Sequence, residues 1–111
     1  MIVGVCRLSL FFSESGSLKA KRHGLRKIID RTRAKFNVAV AEVADQDTWQ
    51  RAKLGFAVVG NDQRHVQSML DNVVSFVDHM YVAQILDCDQ DVQNYGDEES
   101  TFAGDEDEFF K

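Results

Sequence analysis

The residues of this 111-residue chain that could do chemistry are mostly cations, and they are concentrated in one segment. Eight of the thirteen lysine and arginine residues lie in SLKAKRHGLRKIIDRTRAK, residues 17–35. A solvated helix normally mixes both signs at i,i+4 spacing, but here Asp30 is the single internal counter-charge. This bias leaves two alternatives open. One is an anionic partner, which could be nucleic-acid phosphates, an acidic protein surface or the chain's own tail, and the other is a plain solvated helix face. The residues assigned to a candidate nucleic-acid-binding surface are Lys19, Lys21, Arg22, Arg26, Lys27, Arg31 and Arg33.

Patterns typical of catalysis or metal binding do not occur in the sequence. His23, His65 and His79 have no HxxxH partner, and there is no CxxC pair, GxGxxG loop or phosphate-binding P-loop motif. Cys6 and Cys88 are expected to be neighbours on adjacent strands, and reduced core packing is favoured over a redox pair. We therefore predict a protein that is not an enzyme, with no catalytic residues, metal, cofactor or small-molecule substrate.

The loop ADQDTWQR, residues 44–51, contains the single tryptophan of the chain. Its two aspartates are typical of turn formers and caps rather than of an acid–base pair. The indole of Trp49 would either pack the loop onto the core, which is the favoured alternative, or serve as an exposed recognition platform. We assign Trp49, Gln50 and Arg51 to a candidate interaction loop.

Hydrophobic periodicity predicts six elements in the order βαββαβ. Alternation predicts strands at 2–12, 38–43, 51–59 and 81–88, with helices from residue 18 to 35 and, after a turn at 60–62, through residue 80. Ser15 or Ser17 is expected to cap the first helix. Right-handed crossovers bring both helices to one side of the sheet. This predicts a ferredoxin-like α+β fold, a four-stranded antiparallel sheet with two helices on one face.

The other face of that sheet is expected to be uncovered. By strand parity it should carry a mixed apolar and basic set: Val3, Val5, Arg7, Ser9, Arg51 and Lys53. Phe56 has the opposite parity and should point into the core. The third strand therefore lacks the exposed aromatic residues with which RNA recognition motifs of this topology stack bases.

The net charge of −5 conceals a strong asymmetry along the chain. Residues 1–89 carry 12 basic and 10 acidic side chains, a net of +2, whereas residues 90–111 carry eight acidic side chains and Lys111, a net of −7. We predict a folded domain over residues 1–90 and an acidic, disordered tail over residues 91–111. The tail either solubilises the domain, which is the favoured alternative, or acts as an acidic–aromatic segment that competes with nucleic acid.

The N-terminal run MIVGVCRLSLFF lacks the basic leader and the cleavage site of a signal peptide. No stretch approaches the ~18 apolar residues of a membrane span. Two cysteines do not make a disulfide scaffold. We therefore predict a cytoplasmic protein with no membrane partner.

SLKAKR at 17–22 and KFNVAVAEVADQDTWQRAKLGFAVVGND at 35–62, with the helix that follows, resemble the YlxP-like family of small bacterial proteins. That family is catalogued as a domain of unknown function, and the resemblance implies the ferredoxin-like fold over about residues 1–90. Genes of the family often lie in translation operons, beside those for an initiation factor and ribosome-binding factor A, which implies a ribosome-linked role. No catalytic residues are established for the family, and its members typically lack a tail like this one.

Two functions follow as expectations. The first is a non-catalytic accessory factor that binds RNA or a ribosomal subunit through the basic first helix. The alternative is a homodimeric protein-interaction module that uses the open sheet face.

Overall fold

The computed structural model describes residues 1–96, which form six elements in the predicted βαββαβ order. The strands are β1 (Ile2–Phe11), β2 (Ala39–Ala44), β3 (Arg51–Gly60) and β4 (Gln84–Asn94), and the helices are α1 (Leu18–Lys35) and α2 (Gln63–Asp78). The strands pair antiparallel in the order β2-β3-β1-β4. The prediction of a ferredoxin-like α+β fold is confirmed.

Strand alternation determines which side chains form the core. Every second residue of β1 and of β3 is buried, and the paired residues Cys6 and Phe56 lie side by side in that layer. The prediction that Phe56 points into the core is confirmed, because the residue is almost fully buried. Residues of the opposite parity remain on the open face of the sheet.

Side-chain caps and apolar periodicity define the two helices. Ser17, rather than Ser15, caps α1, since its hydroxyl accepts a hydrogen bond from the Ala20 N–H at 3.1 Å. Asp62 caps α2 in the same way by accepting from the His65 N–H at 2.8 Å. The apolar residues that these helices bury at helical spacing are Leu25 and Ile28 in α1, and Val66, Leu70, Val73 and Val77 in α2.

The last strand is the main departure from the predicted boundaries. Prediction places it at 81–88, whereas β4 runs from Gln84 to Asn94 and pairs along the whole of β1. Residues 91–94, which composition assigns to the tail, therefore belong to the domain, and the predicted boundary after residue 90 is wrong by a few residues. β4 is an edge strand with no fully buried side chain, so burial does not require it to be apolar. Its Asp, Gln and Asn residues therefore give it a composition similar to that of a disordered tail.

Residues 97–111 lie outside the described part of the chain, and the predicted disorder of the tail falls mostly on them. Within residues 1–96, neither helix is long and apolar enough to cross a membrane.

Candidate nucleic-acid interface

The outward face of α1 carries cations that have no acidic partner within residues 1–96. Five exposed side chains form no salt bridge there and are called here the α1 cation surface: Lys19, Arg22, Arg26, Lys27 and Arg31. Since α1 has 18 residues, these charges are spread over a helix about 27 Å long. Their exposed placement agrees with the sequence prediction, and their role in binding stays a prediction.

Two further cations of α1 are engaged by the protein itself. The Arg33 guanidinium donates a hydrogen bond to the Val40 carbonyl at 2.8 Å, which ties α1 to the edge strand β2. The ammonium of Lys35 lies 5.7 Å from the ring centroids of both Phe36 and Phe76. A cation held over aromatic rings retains its charge while it packs against the surface.

A groove of about 540 Å³ runs between α1 and β2. Its lining combines three arginines with apolar side chains: Arg22, Arg26, Arg33, Leu25, Ile29 and Val40. Two carboxylates, those of Asp30 and Glu42, also line it. Glu42 is already paired inside the domain, so the groove carries a positive excess. We call this feature the α1–β2 groove.

Lys21 does not belong to the exposed surface. Its side chain is fully buried, and its ammonium donates to three backbone carbonyls, those of Asp45 (2.9 Å), Arg51 (3.1 Å) and Gln46 (3.3 Å). The same ammonium forms an ion pair with Glu42 at 3.2 Å. Prediction from composition places Lys21 among the surface cations, and that placement is wrong. A buried ammonium needs such partners to offset its loss of hydration.

Lys21 fixes the β2–β3 loop beside the first turns of α1. Within that loop Asp45 adopts a φ of 65°, a left-handed conformation that aspartate tolerates, and the Thr48 N–H donates to the Asp45 carbonyl at 3.2 Å. On the other side, the Gln50 carbonyl accepts a hydrogen bond from the Phe12 N–H at 2.7 Å. The loop is therefore held to α1 by a buried cation and to the end of β1 by a backbone bond.

Trp49 lies on this anchored loop with 51% of its surface exposed. That exposure is larger than a residue packing the loop onto the core would have, so the exposed alternative describes its placement better. The Arg51 guanidinium lies 5.8 Å from the ring centroid of Phe11, on the open face of the sheet. Phe11 is not among the residues predicted for the open face, although it has the same strand parity as Arg7 and Ser9, which are.

The open face has an apolar part formed by β1, β2 and β3. Val5, Val43 and Val59 leave 44%, 52% and 63% of their surfaces exposed. Val43 lies over Gly55, where an added Cβ would be 2.9 Å from the Val43 Cγ1 atom. Since the neighbouring strand positions are largely glycine and alanine, these valines share one shallow apolar area.

The remaining part of the open face carries acidic residues as well as basic ones. β4 contributes Asp87, Asp89 and Asp91 at alternate positions, opposite Ser9, Arg7 and Val5 of β1. The Arg7 guanidinium forms a salt bridge with Asp89 at 3.1 Å. The prediction of an apolar and basic face is therefore incomplete, because three aspartates of β4 balance the charges of Arg7, Arg51 and Lys53.

Cys6 and Cys88 are neighbours, as predicted, with their Sγ atoms 3.8 Å apart. Cys6 is buried and Cys88 is exposed, so the prediction of core packing holds for Cys6 alone. Burial, together with the nearby Cys88 thiol, raises the pKa of Cys6 to about 12. The Cys6 thiol is therefore protonated and unreactive at neutral pH. Among residues 1–96, no three His, Cys, Asp or Glu side chains are grouped as metal ligands.

The fold and the site together define a small ferredoxin-like α+β domain with one cationic helix face. Residues 3–90 match the family described as "Protein of unknown function (DUF503)", and the chain belongs to this family. It is 36% identical over 77 residues to the uncharacterized protein YlxP of Bacillus subtilis (strain 168), an alignment that covers 69% of this chain and 84% of that relative. The resemblance to the YlxP-like family is confirmed.

Proposed function

We propose that this protein is a non-catalytic, cytoplasmic accessory factor that binds RNA, free or within a ribosomal subunit, through the α1 cation surface. The observation that carries the proposal is that five exposed cations of one helix have no acidic partner within residues 1–96. Like charges at helical spacing repel one another, and phosphates relieve that repulsion while counterions are released from the RNA. A ribosome-linked role, implied by the family resemblance, would involve the same kind of partner.

The proposed recognition is contact with phosphates rather than stacking of bases on the sheet. Phe56 of β3 is buried and cannot stack a base. The three aspartates of β4 balance the three basic residues of the open face, so that face has no positive excess to attract an RNA backbone. The helix-bearing side of the domain is therefore the favoured side for a polyanion.

The salt dependence of binding to a single-stranded RNA tests the proposal. If all five cations contact phosphates, log K plotted against log salt concentration has a slope of about −3.5, because each contact contributes about −0.7. The variant Lys19→Glu/Arg22→Glu/Arg26→Glu leaves two contacts, so we expect a slope of about −1.4 and an affinity lowered by more than about tenfold at low salt. Fluorescence anisotropy of a labelled RNA measures both quantities.

A matched pair of single variants controls for net charge. Arg26→Glu and Arg64→Glu make the same change at exposed helical positions, but Arg64 lies on α2. We expect Arg26→Glu to weaken binding and Arg64→Glu to have a much smaller effect. Equal affinity of the triple variant and the wild type, for RNA and for purified ribosomal subunits alike, would contradict the proposal. Circular dichroism verifies that each variant is folded.

Trp49 extends the proposed interface from α1 onto the anchored loop. As the single tryptophan of the chain, it reports on its own contacts. We expect unpaired bases to quench its fluorescence more than fully paired RNA does. Stacking of one base contributes about 1–3 kcal/mol, so Trp49→Ala should weaken single-strand binding by about tenfold and leave the salt slope unchanged. Unquenched fluorescence at saturating RNA would restrict the interface to α1.

The apolar part of the open sheet face favours a second candidate function. We propose as the alternative that a second copy of the chain covers Val5, Val43 and Val59, which are exposed together on that face. Size-exclusion chromatography with light scattering should then give the mass of a dimer, and Val59→Lys should shift it toward the monomer. A strict monomer at high protein concentration would contradict this alternative.

A further inference from the structure

We propose that the α1–β2 groove is a docking site for an acidic–aromatic peptide, and that its occupant is the chain's own segment DEDEFF, residues 105–110. This ligand differs from RNA, and its docking holds or fails independently of RNA binding. If both occur, the segment and RNA compete for the two arginines that the groove shares with the α1 cation surface.

Charge complementarity is the first argument for this occupant. Three arginines line the groove: Arg22, Arg26 and Arg33. The segment begins with four consecutive carboxylates, and an arginine fork is well suited to bind a carboxylate through two hydrogen bonds. The groove's own acids do not cancel its charge, because Glu42 is engaged by Lys21 at 3.2 Å and Asp30 alone remains.

The apolar part of the groove is the second argument. Leu25 and Val40 are buried at its base and Ile29 is half-buried beside them. In the segment, Phe109 and Phe110 directly follow the carboxylates, so one short stretch presents both kinds of group. Burial of a phenylalanine contributes more than an exposed ion pair does. RNA phosphates would match the arginines but would make no apolar contact with the half-buried Ile29 side chain.

The length of chain outside the structure is the third argument. β4 ends at Asn94, at the end of the sheet where β1 begins. Across the sheet, β2 lies three strand spacings from β4, a distance of about 14 Å. Along the strands, Val40 pairs with Phe56, which pairs with Cys6, so Val40 lies level with a point about 13 Å from the start of β1. Residues 95–106 can span up to ~40 Å when extended. The segment therefore reaches the groove with slack.

The tether also makes weak docking sufficient. A segment joined to its site by a short stretch of chain has an effective concentration in the millimolar range. A segment with a dissociation constant of that order occupies the groove for about half of the time. Tails of other copies, present at micromolar concentration, compete poorly with it. This favours the chain's own segment over a peptide supplied in trans.

Backbone amide NMR shifts of the full chain provide the test, with the wild type compared with Phe109→Ala/Phe110→Ala. We expect shift differences concentrated at the groove amides of Ile29, Val40 and Ala41, and unchanged when the protein is diluted. We expect the differences to be lost when both chains also carry Arg22→Glu/Arg26→Glu.

Two matched controls make the result specific. Phe102→Ala removes a tail aromatic outside the segment, and Lys27→Glu/Arg31→Glu makes the same charge change on α1 outside the groove. We expect Phe102→Ala to produce no groove shifts, and the shifts caused by the double phenylalanine variant to persist in the Lys27→Glu/Arg31→Glu background.

Three outcomes would overturn the proposal. The first is no shift difference at the groove amides, and the second is a difference of equal size for Phe102→Ala. The third is a difference that grows with protein concentration, which would assign the occupant to a second copy. Docking without RNA binding would sustain this proposal while refuting the proposed function, so the two failures are distinguishable.

Discussion

Replacement of Lys21 by methionine distinguishes a structural role for this lysine from a role in RNA binding. Methionine keeps most of the length of the buried stem but removes the ammonium. Two carbonyls of the β2–β3 loop, those of Asp45 and Gln46, then lose a donor at 2.9 and 3.3 Å. The Arg51 carbonyl at the start of β3 loses one at 3.1 Å, and Glu42 loses its ion-pair partner. The loop that carries Trp49 would lose its attachment to α1.

The size of the effect follows from these contacts. A buried carbonyl left without a donor costs about 1–3 kcal/mol. Since the loop lies at the surface, where water can replace part of the lost bonding, the lower value is appropriate. The Asp45 carbonyl keeps the Thr48 N–H as a donor, so the loss at the Gln46 and Arg51 carbonyls gives about 2 kcal/mol. A domain of this size changes its Tm by about 4–8 °C per kcal/mol, so we expect Lys21→Met to lower the Tm by roughly 8–16 °C.

Urea unfolding followed by Trp49 fluorescence and by circular dichroism measures this destabilisation. Lys27→Met is the matched control, because it removes the same charge from an exposed position of the same helix. We expect the control to change the free energy of unfolding by less than about 0.5 kcal/mol. Equal urea midpoints for the two variants would refute the reasoning. A Lys21→Met variant that is as stable as the wild type but binds RNA more weakly would instead support the sequence-based assignment of Lys21 to the nucleic-acid-binding surface.

Three other predictions rest on individual residues. Gly4→Ala places a Cβ 2.6 Å from the Val66 Cγ1 atom, so it should lower the free energy of thermal unfolding by about 1–3 kcal/mol. The Cβ of the control Gly16→Ala has no heavy atom within 4 Å and should change that free energy little. A larger effect at Gly16 than at Gly4 would contradict this packing argument. In the folded protein, a thiol reagent should modify Cys88 readily and Cys6 only after unfolding, because Cys6 is buried. The pKa of Cys6 is raised from 9.0 to about 12, so its contribution to stability is present below pH 9 and is lost as the pH rises toward 12. Cys6→Ala should flatten that decline, and an unchanged pH profile of stability would show that the thiol is not its cause.

The fold follows from the sequence wherever an element buries one side. Alternation in β1 and β3 and the apolar spacing of both helices are imposed by burial, so they are visible in the chain itself. β4 is different, because backbone pairing with β1 holds it while most of its side chains are exposed and only a few, such as Ile85 and Val92, pack partly against the core. Aspartates on an edge strand also discourage pairing with other chains, and the same aspartates make the strand resemble a tail.

Within the site, the burial of Lys21 could have been predicted and its partners could not. Lys21 precedes Leu25 by four residues and Ile28 by seven, which is the spacing of the buried stripe of α1. A prediction based on charge places every lysine at the surface and ignores this helical spacing. The acceptors are backbone carbonyls of a loop, which have no signature in the side-chain sequence. The exposure of Trp49 depends on the same loop geometry, so composition alone left two alternatives open.

The charge of the open face depends on strand register rather than on composition. Asp89 lies opposite Arg7 only because β4 pairs with β1 in one register, with an irregularity between Ser9 and Leu10. A shift by one residue would turn the aspartates toward the helices. The pairing that neutralises the predicted basic charge of this face is therefore a property of the assembled sheet.

The two candidate functions use opposite sides of the molecule, and this has a measurable consequence. A dimer formed through the open faces would stack two sheets about 10 Å apart, with the helices on the outside. Each helix layer adds roughly 10 Å, so the two α1 cation surfaces would lie about 30 Å apart and face away from each other. A short RNA could then contact one surface only, and dimerisation would leave its affinity unchanged. An RNA long enough to wrap around the dimer would bind more tightly than to the monomer, because its second contact is intramolecular. The length dependence of RNA affinity, measured for the wild type and Val59→Lys, thus determines whether the two functions act together or separately.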